Sequence, residues 1–171
     1  TQTGNNEGFY GNYAPNPSTN VHLSDFAIWG NVVTRIDNDQ INGIGGALTN
    51  STITRLWIEH TKCGLWLDGP FNNLQVSYMR IRNQNADGVN FHKGVTNSTF
   101  TQSHFRNTGD DAMAMWSDSN GTTIANANNS FTFNTIEIPV LANGIAIYGG
   151  TDINVTDNYV AEQQAEGGGI H

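Results

Sequence analysis

Two short stretches carry the side chains most suited to chemistry: Asn83-Gln84-Asn85-Ala86-Asp87-Gly88-Val89-Asn90-Phe91 and Asn107-Thr108-Gly109-Asp110-Asp111-Ala112-Met113-Ala114-Met115. Superposed, they set Asp87 on Asp111 and leave Asp110 beside the pair. Such a trio supplies what hydrolysis of a glycosidic bond requires, a carboxylic acid to protonate the leaving oxygen and a carboxylate to activate water. Two ionised carboxylates held that close repel, so one should keep its proton to higher pH. Two other readings stay open on these residues alone. Acidic turns cap backbone amides, and clustered carboxylates also bind calcium, although the motif offers no further ligands beyond Asn and carbonyl oxygens.

Further along the same strands lies the column Asp68, His92, Trp116, Tyr148, with Trp66 and Asn90 beside it. Aromatic faces next to acids suit a sugar, whose CH face stacks while its hydroxyls find polar partners. These six are the candidate substrate-binding residues. The plainer alternative has Trp116 and Tyr148 covering the edge of a core and His92 simply hydrogen-bonded in a surface ladder.

Such alignments need a repeat, and one runs from Val21 onward. Leu23–Ile28, Ile53–Ile58, Val76–Ile81, Phe100–Phe105, Phe131–Ile136 and Val155–Val160 share apolar first and sixth places. Most are followed by a polar turn and a second short strand: Gly64–Leu67, Gly88–Phe91, Ala112–Met115 and Gly144–Ile147. Alternating apolar residues there have the period of a half-buried strand. A repeat of about 24 residues (65, 89, 113) built from strands and Asn/Gly turns predicts an all-β solenoid whose coils stack at about 4.8 Å. We therefore expect a right-handed parallel β-helix of about six coils forming one domain over 1–171, with 1–20 an irregular lead-in and coils from 21 onward. Leucine-rich repeats lack their framework here, and no 3.6-residue period persists.

Stacking turns sequence columns into ladders. Leu65, Val89, Met113 and Ile145 should face inward, as should Leu67, Phe91, Met115 and Ile147. Gly64, Gly88, Ala112 and Gly144 are expected to leave a strip of the outer surface clear for a flat ligand. Glu59, Arg82, Arg106 and Glu137 predict an ion-pair ladder, and Asn83 over Asn107 a hydrogen-bonded one. Excess residues around 37–46 and 119–129 predict loops at one edge that wall a groove.

The totals narrow the partner. Charged residues are 13% of 171, and the net charge of -8 opposes binding to nucleic acid, pectin or an anionic membrane, leaving a neutral polymer as the natural ligand. Cys63 is the only cysteine, so neither an intramolecular disulfide nor a cysteine zinc site is available. No leader or apolar spanning run is present, and the abrupt ends read as an excerpt of a longer helix.

Asn85-Ala86-Asp87-Gly88-Val89 followed by Gly109-Asp110-Asp111-Ala112 resembles the paired acidic motifs of the polygalacturonase-like β-helix glycosidases. Ala112 stands where polygalacturonases have cysteine, Ile147-Tyr148-Gly149-Gly150 where their histidine motif would fall, and the basic triplet that grips uronic acid is missing. The longer strings Asp87–Gly94 and Gly109–Ser117 are more similar to the catalytic module of glycoside hydrolase family 87, the α-1,3-glucanases and mycodextranases. That resemblance implies endo-hydrolysis of a neutral α-glucan with inversion, by Asp87, Asp110 and Asp111, in a secreted, monomeric protein without cofactor or metal. Family 49 dextranases, a polysaccharide lyase and a non-catalytic binding or adhesion β-helix are the competing expectations.

Overall fold

The computed structural model describes residues 7–164 and 166–171. Its described elements are all β-strands, and every pairing between them is parallel. Three six-stranded sheets make the faces of a parallel β-helix of six coils, with two two-stranded sheets at a corner. The first sheet, here the site sheet, stacks Phe9–Tyr10, Ile44–Gly45, Leu65–Asp68, Val89–His92, Met113–Trp116 and Ile145–Tyr148. A coil leaves it, turns a corner into the second sheet (Leu74–Ser77 and its neighbours), then the third (Arg80–Gln84 and its neighbours), and returns.

Alternation decides which side chains enter. Leu65, Val89, Met113 and Ile145 stack in register, as do Leu67, Phe91, Met115 and Ile147, and all but the partly buried Ile147 are fully buried. Phe91, Phe100, Phe105 and Phe131 fill the centre with ring centroids 5.2–6.4 Å apart. This apolar burial is the main stabilising term, since a solenoid coil cannot bury its inner face alone.

Several expectations need correcting. The lead-in is not irregular throughout, because Phe9–Tyr10 and Ser18–Thr19 pair with Ile44–Gly45 and Leu48–Thr49 and supply the site-sheet and corner strands of the first coil before residue 21. The small residues of the acid turns do not clear an outer strip. A Cβ on Gly88 would lie 2.3 Å from the Ala112 carbonyl oxygen and 2.5 Å from the Phe105 ring, so smallness there permits close stacking of coils. The charged ladder holds only in part: Arg106 pairs with Glu137 at 3.0 Å, whereas Glu59 accepts from Trp57 Nε1 and Asn83 Nδ2 instead. Asn107 does donate to Asn83, at 2.7 Å.

The two insertions flank opposite edges of the site sheet, not one edge. Residues 31–42 enter at the corner from the third sheet, where the acids are, and residues 117–127 leave at the corner to the second sheet.

Candidate active site

The turn from the third sheet into the site sheet sets one residue per coil just before the small residue that opens the strand. Down the axis these are Asn42, Cys63, Asp87, Asp111 and Asn143, linked by backbone bonds such as Gly64 N–H to Asp87 O (3.0 Å) and Gly88 N–H to Asp111 O (2.9 Å). Asp110 belongs to the adjoining column with Lys62 and Ala86. Ala86 between them adds no bulk, so the three acids converge: one oxygen from each lies within 4.8 Å of the others. That is close enough to hold one cation between them and for each charge to act on its neighbours. These carboxylates already accept from protein donors.

Asp111 is the most fully held. Its Oδ1 accepts from the Asn143 backbone N–H (2.9 Å) and side-chain amide (2.8 Å), and its Oδ2 from the Tyr148 hydroxyl (3.1 Å). Burial and the nearby Asp111 push the Tyr148 phenol up to about 12, so it remains a donor. Asp87 accepts from Asn90 Nδ2 at 2.8 Å. Burial raises its carboxyl from 3.8 to about 7, the Asp110 and Asp111 charges add to the rise, and Asn90 and Arg35 oppose it. The remaining amide oxygen of Asn90 is buried without a partner, an acceptor left over beside Asp87. Asp110, the most exposed of the trio, accepts from the Asp111 N–H (3.1 Å) and is ion-paired with Arg35.

The acids floor a cleft of about 510 Å³, walled by Trp66, Trp116 and Tyr148 on the strand side and by Arg35, Asp37 and Gln40 of the first insertion. Trp116 and Tyr148 are 41% and 39% exposed, enough to offer a ring face to a ligand. Asn90 also lines the cleft, but Asp68 and His92 do not. His92 is buried between Trp66 and Trp116, at ring-centroid distances of 5.0 and 4.7 Å. Its Nδ1 meets Asp68 at 2.7 Å and its Nε2 meets Asp118 at 3.3 Å, so this pair braces the aromatic wall from behind. Two cations reach the acid corner, Arg35 and Lys62; Lys62 donates to the carbonyls of Asp37 and Asp39.

A family model of the α-1,3-glucanase catalytic domain D2 matches residues 2–170. The chain belongs to this family. Among solved structures, the D2 chain is similar to the catalytic unit of a thermostable glycoside hydrolase family 87 α-1,3-glucanase from Streptomyces thermodiastaticus. The two share 39% identity over 90% of this chain and 31% of that one, with a TM-score of 0.82. The Agl-KA catalytic domain is 34% identical over 89% of this chain and 28% of its own, with a TM-score of 0.75. An aspartate-to-alanine variant of a family 87 α-1,3-glucanase catalytic domain, solved with tetrasaccharides, is 28% identical over 80% of this chain and 24% of its own, with a TM-score of 0.76. The D2 chain thus spans about a third or less of the length of these structures. No curated protein sequence matches it.

Of the residues named from sequence, this D2 domain brings Asp87, Asp110, Asp111, Asn90, Trp66, Trp116 and Tyr148 to one cleft. Sequence reasoning missed Arg35, Lys62, Asn143 and Asp118. Asn143 was within reach, since it precedes Gly144 as Asp111 precedes Ala112. Arg35 had no such marker, because an insertion has no column.

Proposed function

We propose that the protein is an endo-acting glycoside hydrolase that cleaves a neutral α-1,3-glucan with inversion, outside the cell, as a monomer and with no cofactor. The observation that carries this reading is the convergence of three carboxylates on the floor of a cleft, beside exposed aromatic rings, in a chain of the α-1,3-glucanase D2 family. Tetrasaccharide binding by a related catalytic domain supports an oligosaccharide-shaped cleft.

Differences in exposure among the three acids support one division of roles. Asp110 faces the cleft and protonates the glycosidic oxygen as the C1–O bond breaks. Asp87 and Asp111, deeper and hydrogen-bonded from behind, hold the water that attacks C1, and its proton passes to Asp87. Burial makes the ionised Asp87 a stronger base than an ordinary carboxylate, and the step requires it ionised beside a protonated Asp110. The unpartnered Asn90 oxygen is a second acceptor for this water, and Trp116 and Tyr148 seat the sugar rings. Two-carboxylate inverting sites separate their acids by roughly 6.5–9.5 Å to admit water. With three carboxylates, one pair need not span both tasks.

The test is product analysis on α-1,3-glucan, dextran, β-glucans and polygalacturonate. Oligosaccharides from α-1,3-glucan, released first as the β-anomer by NMR, are expected. The α-anomer overturns inversion. An unsaturated product from polygalacturonate, or binding without cleavage, overturns the hydrolase reading.

A further inference from the structure

The insertion over the acid corner carries a cation in a built seat. Residues 31–42 leave the third sheet after Trp29 and return to the site sheet at Ile44, and hydrogen bonds to the coils below pin the loop. Val32 N–H donates to the His60 carbonyl (3.0 Å), and Asn85 Nδ2 donates to the Val32 carbonyl (2.8 Å). Lys62 Nζ, on a nearly buried residue, donates to the carbonyls of Asp37 (3.0 Å) and Asp39. Asn85 sits two residues before Asp87, and Lys62 shares the column of Asp110. The turns that gather the acids therefore also fix the loop.

What the pinned loop delivers is Arg35. Its Nε donates to Asp37 Oδ1 at 2.6 Å and its Nη1 to Asp110 Oδ2. The other Asp110 oxygen accepts from the Asp111 backbone N–H, so both are held and the plane of the carboxyl is set. A guanidinium suits this seat because it is permanently charged and its rigid fork meets two acceptors at once; a lysine ammonium is a single point of charge on a flexible stem.

We propose that Arg35 is a positioning residue for the reaction: it holds Asp110 in the orientation for proton delivery and receives the negative charge that Asp110 acquires as its proton moves to the glycosidic oxygen. This rests on the hydrolytic reading of the site. The Asp110 proton goes to the leaving oxygen, the water oxygen bonds to C1 and the water proton goes to Asp87, so the cluster keeps its net charge while the charge moves toward Arg35. A dipole or cation aimed at such a point acts in the transition state more than in the ground state.

The experiment measures kcat and KM on a soluble α-1,3-linked oligosaccharide for the wild-type protein, Arg35→Ala, Arg35→Lys and Asp110→Ala, with melting temperatures. Arg35→Ala should lose about 10–100-fold in kcat with KM changed less than about threefold. Guanidinium chloride far below denaturing concentration should restore part of that loss but nothing in Asp110→Ala. Arg35→Lys should stay below wild type, because one ammonium cannot replace the fork. Wild-type kcat in Arg35→Ala or Arg35→Lys overturns the proposal, as does a loss at unchanged melting temperature that guanidinium leaves untouched. If Arg35→Ala melts lower than wild type, Arg35→Gln is read in its place by the same criteria. A wild-type protein inert on every glucan removes the hydrolytic reading and Arg35's role with it; an active wild type beside an unimpaired Arg35→Ala removes only the latter.

Discussion

Two corners of the β-helix solve the same problem with different residues. Where the second sheet turns into the third, Ser103 and Asn134 stack inside the coil. Asn134 Oδ1 accepts from the Ser103 N–H (3.1 Å), and its amide donates to the Phe100 carbonyl (3.1 Å) and to Asn158 (3.0 Å). Where the third sheet turns into the site sheet, the stacked residues include Asp87 and Asp111. An asparagine amide carries donors and an acceptor, so a column of them can satisfy itself. Ionised aspartates carry acceptors alone, so stacking them leaves like charges face to face that donors must be brought in to balance. Asn90, Asn143, Tyr148 and Arg35 are those donors. The first corner is a support, and the second is a site whose polar groups remain poised for an added partner.

The contrast breaks most sharply if the acids are removed. Replacing Asp87, Asp110 or Asp111 singly by alanine should lower kcat on α-1,3-glucan by about 10²–10⁴-fold, or about 3–5 kcal/mol of activation energy. The melting temperature should not fall with it for Asp87 or Asp110, where no core side chain is lost and a charge conflict is relieved, whereas Asp111→Ala also strands the buried Asn143 donors and should melt lower. Azide should restore turnover where a base was deleted and fail where the acid was. An acid variant that keeps wild-type turnover while losing stability would make this corner a support like the other.

The second test is the proton on Asp87. With Asp87 as base, kcat/KM should rise about tenfold per pH unit, or about 1.4 kcal/mol, up to a bend near pH 7; a plateau below that bend followed by a fall above it would make Asp87 the acid. Stability has its own sign. The folded-state carboxyl titrates above its unfolded value, so its contribution is complete below about pH 4 and is lost as pH rises through about 7. Asp87→Asn should remove that decline, and melting curves from pH 4 to 8 check it.

The repeat, its inward columns and the stacking of Asp87 on Asp111 were legible in the sequence because a coil period converts spacing into position. Trp116 and Tyr148 followed from the same columns. The role of His92 did not, because its neighbour Asp118 lies past the end of the strand, at the start of an insertion. Arg35 was invisible for the same reason, since it crosses to Asp110 from 75 residues away on a loop outside the repeat. The glycine column misled through its side: a residue flanking an inward-facing position at a tight corner is small to let the next coil approach, not to open the surface.

The smallest effect sharpens the supporting corner. Ser103 Oγ accepts from the buried Met79 N–H at 2.9 Å and donates to the Thr101 carbonyl at 2.8 Å, and nothing in that corner reaches the cleft. Ser103→Ala strands one backbone donor and shortens the side chain by a single atom, so the expected loss is about 1–2 kcal/mol in denaturant unfolding. Turnover and pH profile should match wild type. A change in either would mean that the two corners communicate through the packed Phe100, Phe105 and Phe131 rings, and that the acid turns depend on more of the coil than their own hydrogen bonds.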